Sequence, residues 1–170
     1  MKIQLRTFVV AALFIALTYI FTWINVNLLP WIPGGGGLTH LGNIPLFIAA
    51  ILFGKKTGAL VGGIGMALFD WTSAYYAWAP ATLIINLLMG FVFGLIVENR
   101  EKLKWYILAV GSAIIIKVVG YYIAEGIIYG NWIAPVASIP ANIIQVVVAA
   151  IIILPIIGRL RIATKKFQNE

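Results

Sequence analysis

The sequence predicts an all-α membrane protein, a bundle of six transmembrane helices with both termini in the cytoplasm. Hydrophobic residues make up 62% of its 170 residues and charged residues only 10%, whereas soluble domains average about 45–50% apolar and about 25% charged residues. The mean hydropathy of +1.03 agrees with this imbalance. These values exclude a soluble domain, a disordered chain and a coiled coil, and they predict one integral-membrane domain over residues 1–170.

Six spans account for the apolar stretches, because a bilayer core about 30 Å thick needs roughly 17–25 apolar helical residues per crossing. The predicted spans are Phe8–Ile24, Leu41–Phe53, Thr57–Trp71, Ala81–Val97, Trp105–Ile128 and Ile139–Ile157. The second span is short and could begin as early as Gly37. The first span follows a charged N-terminus, as in a signal peptide, but no small-residue cleavage site precedes Trp23, so we expect it to be retained.

Turn-forming and charged residues separate these spans. The breaks lie at Pro30 and Pro33 with Gly34–Gly37, at Lys55-Lys56, at Tyr75–Pro80, at Glu98–Lys104 and at Gly130–Pro140. The first loop, Asn25–Thr39, contains four consecutive glycines, which permit the backbone changes of a hinge. It is either a lid over a binding site or a flexible connector.

The positive charges orient the bundle, since cytoplasmic loops of membrane proteins carry an excess of Lys and Arg. With six spans, every Lys and Arg except Lys117 falls on one side: Lys2, Arg6, Lys55, Lys56, Arg100, Lys102, Lys104, Arg159, Arg161, Lys165 and Lys166. This side is predicted to be cytoplasmic, which places both termini there. The net charge of +7 therefore reflects topology, and a nucleic-acid partner is excluded because the charges do not form one patch.

Several kinds of chemistry lack the residues they need. The chain has no cysteine and a single histidine, His40, so a disulfide, thiol catalysis and a metal site are not expected. Gly54-Lys55-Lys56-Thr57 is similar to the end of a phosphate-binding loop but lacks the first glycine and the GKT or GKS ending of that motif. We therefore predict no cofactor, no metal and no ATP hydrolysis by this chain alone.

Nine polar or ionisable residues are the predicted binding-site residues. They lie in or next to the outward halves of five predicted spans and are His40, Asn43, Asp70, Asn86, Lys117, Tyr121, Glu125, Asn142 and Gln145. Ionisable groups inside a membrane are costly and mark functional sites, and Lys117, Tyr121 and Glu125 share one helix face at four-residue spacing. This arrangement predicts a water-accessible pocket that opens to the exterior.

The same residues could have structural roles instead of binding a ligand. Lys117 could form a buried ion pair with Glu125 or Asp70 that only fixes packing. The amides in the spans could form hydrogen bonds between helices, and His40 could make a loop contact. The aromatic residues of the outer third could form an interfacial belt or enclose a flat ring.

Small residues at four-residue spacing, which let helices approach closely in lipid, recur along the chain. They are Gly54, Gly58 and Gly62, Gly90 and Gly94, and Ala12 and Ala16. Packing within the molecule is the simplest role for such a pattern.

Three stretches carry a resemblance to a known family: THLGNIP at 39–45, LFGKKTGALVGGIG at 52–65 and WAPAT at 78–82. With them, the chain resembles the substrate-binding S components of energy-coupling factor (ECF) vitamin transporters, most of all the hydroxymethylpyrimidine/riboflavin-type group. The resemblance implies a six-helix bundle in a bacterial plasma membrane that captures a vitamin or precursor from outside. It also implies a transmembrane coupling subunit and two cytoplasmic ATPases as partners, with Ala12 and Ala16 matching the alanine-xxx-alanine face that meets the coupling subunit.

Three functions are weighed against these observations. The first is uptake of a small aromatic vitamin or precursor, such as hydroxymethylpyrimidine or a pyridoxine-like ring, with riboflavin or another vitamin as the alternative substrate. The second is a membrane-embedded lipid-modifying enzyme, which would need a clustered nucleophile and base that the sequence lacks. The third is a scaffold, which would not need polar groups converging from five spans. We predict a non-enzymatic uptake subunit.

Overall fold

The computed structural model describes residues 2–24 and 39–168, and over these ranges the protein is all-α, as predicted. The α-helices are α1 (Lys2–Ile24), α2 (Asn43–Phe53), α3 (Lys55–Thr72), α4 (Ala79–Val97), α5 (Leu103–Tyr129), α6 (Ile139–Ile153) and α7 (Ile157–Gln168). Short 3₁₀ helices at Tyr76–Trp78 and Ala134–Ser138 lead into α4 and α6.

Four helical stretches of the described chain are long and apolar enough to cross a bilayer. They are Thr7–Ile24, Tyr76–Val97, Leu103–Tyr129 and Ala134–Ile153. Among the other helices, α2 has only 11 residues, and α3 carries Lys55, Lys56 and Asp70. The protein is therefore a multi-pass membrane protein. Each of the helices α1 to α6 overlaps one predicted span, although α1 begins at Lys2 instead of Phe8 and α6 ends at Ile153 instead of Ile157.

The chain end departs from the prediction of six helices. The predicted sixth span, Ile139–Ile157, ends instead at Ile153, and the basic tail that follows forms the separate helix α7. Pro155 explains the break, because proline has no N–H to donate and its ring clashes with the preceding helical turn. Arg161 of α7 contacts the loop between α4 and α5: its Nη1 lies 3.3 Å from Glu101 Oε1, and its Nη2 donates to the carbonyl of Arg100 at 3.2 Å.

Glycines bring the backbones of α3 and α4 into contact, as the small-residue spacing predicted. A Cβ atom built on Gly90 would overlap the backbone of Gly58, and one on Gly94 would lie 2.5 Å from the Cα of Lys55. Gly54 has another role, since its φ of +87° is a conformation that glycine adopts without steric cost. It forms the turn between α2 and α3.

We expect Gly90→Ala to lower the thermal stability of the protein. The added methyl would push α3 away from α4, and overpacking of this kind costs about 1–3 kcal/mol. Gly111→Ala is the matched control, because a Cβ at Gly111 on α5 meets no atom within 4 Å and alanine favours a helix over glycine. Intrinsic tryptophan fluorescence during heating in detergent measures both variants. Equal melting temperatures for the two would contradict the prediction.

The bundle divides into an apolar half and a polar half. The apolar core lies nearer the end that carries Lys55, Arg100 and α7, called here the basic end. There the rings of Phe47 and Phe93 stack with centroids 4.2 Å apart, and α2 is buried among its neighbours. The buried residues of this core include Leu46, Phe47, Ala49, Met89, Phe93, Val97, Tyr106, Ala109, Val146, Ala149 and Ile153. The polar side chains of the same helices lie towards the opposite end.

Candidate functional site

The polar half contains a cavity of about 100 Å³. Five helices and the residues next to them line it: Thr22, His40, Met66, Asp70, Tyr75, Trp78, Thr82, Lys117, Tyr121, Glu125, Tyr129, Asn142 and Gln145. Seven of the nine residues singled out from the sequence are among them, namely His40, Asp70, Lys117, Tyr121, Glu125, Asn142 and Gln145. The structure thus brings them together around one space, and their binding of a ligand stays a prediction.

Asn43 and Asn86, the other two, lie behind the cavity wall. Both side chains are fully buried. Asn43 Oδ1 accepts a hydrogen bond from Lys117 Nζ at 3.3 Å, and Asn86 Nδ2 donates to the Tyr121 hydroxyl at 3.1 Å. Neither amide lines the cavity, so they position the residues that do.

Lys117 supplies the positive charge of the cavity. Its side chain is buried, and its Nζ lies 5.6 Å from the centre of the Tyr121 ring. It forms no ion pair with Asp70 or Glu125, so the packing ion pair considered from the sequence is absent from the structure. Three charged groups therefore face the cavity without direct pairing among themselves.

A chain of hydrogen bonds joins α4 to α5 next to Asp70. Asn86 donates to the Tyr121 hydroxyl, which donates to Thr82 Oγ1 at 3.1 Å. The Thr82 side chain also interacts with the carboxylate of Asp70. Asp70 lines the cavity, and its carboxylate oxygens can accept hydrogen bonds there.

His40 is fixed by the loop that precedes α2. Its Nδ1 accepts a hydrogen bond from the backbone N–H of Gly42 at 3.2 Å, so it makes the loop contact as well as lining the cavity. Burial lowers the pKa of His40 well below its ordinary value, and the Lys117 ammonium adds to this effect. His40 is therefore neutral at physiological pH. A Cβ on Gly42 would lie 2.5 Å from Thr22 Oγ1, so only glycine fits this junction.

Aromatic rings close the cavity at the end away from the core. Trp78 contacts Tyr75 and Tyr129 with ring centroids 6.0 Å apart in each pair. All three rings line the cavity, so they do more than form an interfacial belt. The predicted lid, Asn25–Thr39, lies outside the described residues apart from Thr39.

Sequence reasoning missed Thr22, Met66 and Thr82 as cavity residues. Threonine and methionine are uncharged and common in apolar helices, so these residue types do not by themselves indicate a binding site. The one available signal was spacing, because Thr82 lies one turn before Asn86 and so shares its helix face. Thr22 shows that α1, which is otherwise largely exposed, also contributes to the cavity.

Ala12 and Ala16 lie on the exposed surface of α1. Neither packs into the bundle, whereas the adjacent Ala11 is buried. These two small side chains are thus exposed on a helix that also reaches the cavity through Thr22.

The fold and the cavity define a class of protein: a multi-pass helical membrane protein with a cavity lined by polar side chains among its helices. No group of three or more His, Asp or Glu residues in the described parts of the chain could hold a metal ion. The family model for the ECF-type riboflavin transporter S component matches residues 2–162. The chain belongs to this family, which confirms the resemblance found in the sequence, and it is a transporter subunit and not an enzyme.

Two curated relatives are similar to this chain. The "Thiamine precursor transporter HmpT" of Lactococcus lactis subsp. cremoris is 32% identical over 132 residues, which cover 75% of each protein. An "Uncharacterized protein in gap 3'region" of Pyrococcus woesei is 32% identical over 121 residues, which cover 71% of this chain and 80% of the relative.

Proposed function

We propose that this chain captures a single-ring aromatic vitamin precursor, hydroxymethylpyrimidine or a pyridoxine-like molecule, for an ATP-driven importer. The cavity volume of about 100 Å³ carries this proposal. Pockets for drug-sized ligands measure about 300–1,000 Å³, so the space suits one substituted ring better than the three fused rings of riboflavin. The name of the Lactococcus relative, a thiamine precursor transporter, agrees with a ligand of this size.

The charge distribution supports uptake from the exterior. The described basic residues of the loops and of α7 lie at one end of the bundle, and the cavity lies towards the other. If the basic end is cytoplasmic, the chain crosses a bacterial plasma membrane six times with both termini inside. The short helix α2 is consistent with a crossing, because its neighbours bury it and leave little backbone facing lipid.

Energy for accumulation has to come from partners. The chain contains no phosphate-binding loop, and an apolar core lies between the cavity and the basic end in the part of the chain that the structure describes. A transmembrane coupling subunit and two cytoplasmic ATPases, as the family relationship implies, would supply the missing steps.

Ligand titration of the purified chain tests the proposed substrate. We expect hydroxymethylpyrimidine or pyridoxine to bind without any partner subunit and riboflavin to bind far more weakly, because its ring system exceeds the cavity. Mass spectrometry of small molecules released on denaturation identifies what co-purifies. Tightest binding of riboflavin, the substrate in the description of the family model, would overturn the single-ring proposal and favour that second candidate.

A further inference from the structure

Glu125 has an unused hydrogen-bonding atom inside the cavity. Its side chain is 4% exposed, it lines the cavity, and its Oε2 is buried without a hydrogen-bond partner. A buried carboxylate oxygen without a donor is costly. Ser138, the described side chain that interacts with this carboxylate, donates its hydroxyl hydrogen to the Pro135 carbonyl at 2.9 Å, so Oε2 receives no donor from the described residues. The missing donor therefore has to come from whatever occupies the cavity.

The position of Glu125 along α5 places it at one end of the ligand. Glu125 follows Lys117 by two helical turns on the same face, which corresponds to about 12 Å along the helix axis. Tyr121 lies between them. A single ring that fills this space meets an ammonium at one end and a carboxylate at the other.

We propose that Glu125 Oε2 accepts a hydrogen bond from an amino substituent on the bound ring, and that Lys117 donates to an acceptor at the opposite end of the ring. This inference rests on the proposed function and names the feature of the substrate that the protein selects. Glu125 is then a specificity-determining residue, and an amino-substituted ring is preferred over a ring of equal size with a carbonyl in its place.

The charges around the cavity exclude a hydrogen-bond acceptor at this end of the ligand. A carbonyl, carboxylate or phosphate group would place its lone pairs against Glu125 and leave Oε2 without a donor. Asp70, which also lines the cavity, adds to the repulsion of any anion. Lys117 is the single lysine or arginine among the described cavity residues, and it faces the other end.

The test compares two rings on the wild-type protein and on Glu125→Gln. The first ring is hydroxymethylpyrimidine with its amino substituent. The second is the analogue in which a ring carbonyl replaces that amino group. We expect the wild type to bind the amino ring at least about tenfold more tightly, as for a hydrogen bond to a charged acceptor. In Glu125→Gln the preference should fall to within about twofold, since the glutamine amide can donate to the carbonyl.

Two controls accompany the measurement. Glu98→Gln removes a carboxylate at the basic end, where Glu98 pairs with Lys55 at 2.7 Å, and should leave the preference unchanged. Asn142→Ala removes a cavity amide and should lower the affinity for both rings by the same factor. Glu125→Asp keeps the carboxylate and should retain the preference for the amino ring at lower affinity. This variant tests the inference if Glu125→Gln does not fold.

The outcomes separate this inference from the function on which it rests. Equal binding of both rings to the wild type, or a preference that survives in folded Glu125→Gln, would overturn the inference and leave the single-ring uptake proposal standing. Binding of neither single ring to the wild type would overturn the proposed function, and the inference with it.

Discussion

Replacing Lys117 with methionine is expected to weaken substrate binding by about 10- to 150-fold, the range for losing a hydrogen bond to a charged group. Lys117 is the single lysine or arginine among the described residues of the cavity and lies buried beside Tyr121. Its ammonium donates to Asn43 and has two further hydrogens for a ligand. Methionine preserves the length of the side chain and removes both the charge and the donors.

The same variant should remain folded, which distinguishes a binding role from a structural one. A buried ammonium carries a large desolvation cost, and Lys117 forms no ion pair with a described carboxylate that would offset it. The variant also leaves the buried Asn43 Oδ1 without its donor, which offsets part of this gain. We therefore expect the melting temperature of Lys117→Met to change little.

Titration with the substrate and a thermal melt on the same preparations check both expectations. Lys104→Met, at an exposed position on the same helix, is the matched control and should bind normally. Asn142→Ala, which removes a neutral cavity amide, should lose only about 2- to 13-fold in affinity. A large drop in stability with full affinity in the folded fraction would make Lys117 a structural residue.

Enlarging Ala12 and Ala16 to leucine is expected to reduce uptake at least about tenfold while ligand affinity changes less than about twofold. Both alanines are exposed on α1, and small residues at this spacing allow another helix to approach closely. If the coupling subunit packs there, two added side chains overpack that contact, at about 1–3 kcal/mol for each. The cavity lies on the other side of α1, so binding should persist.

Two assays separate transport from binding. Cells that express the complete transporter report the uptake of labelled precursor, and titration of the purified chain reports ligand affinity. Gly111→Leu is the control, because it adds the same side chain at a position on α5 with no neighbouring atom within 4 Å. Full uptake by the Ala12 and Ala16 variant, or an equal loss in the control, would contradict a specific contact at this surface.

Periodicity and composition predicted most of the local structure. Apolar runs predicted α1 to α6, although those for α2 and α3 are shorter than a bilayer crossing, and the four-residue spacing of Gly58, Gly90 and Gly94 predicted the close packing of α3 on α4. Both signals are local. Helix formation depends on neighbouring residues, and a glycine has no side chain, so it lets another helix approach closely in any arrangement of the bundle. The separate helix α7 was not predicted, although Pro155 marks the break, because the predicted sixth span extends through Pro155 to Ile157.

The sequence by itself determined that this is a multi-pass helical membrane protein and that ionisable groups gather in one half of it, since the cost of charge in lipid restricts where such groups occur. Only the tertiary structure decided which of them share a cavity. Asn43 and Asn86 turned out to lie behind the wall, Lys117 to be unpaired with Asp70 and Glu125, and Thr22, Met66 and Thr82 to complete the lining. Such roles depend on the rotation and spacing of helices far apart in the chain, and packing between helices sets both.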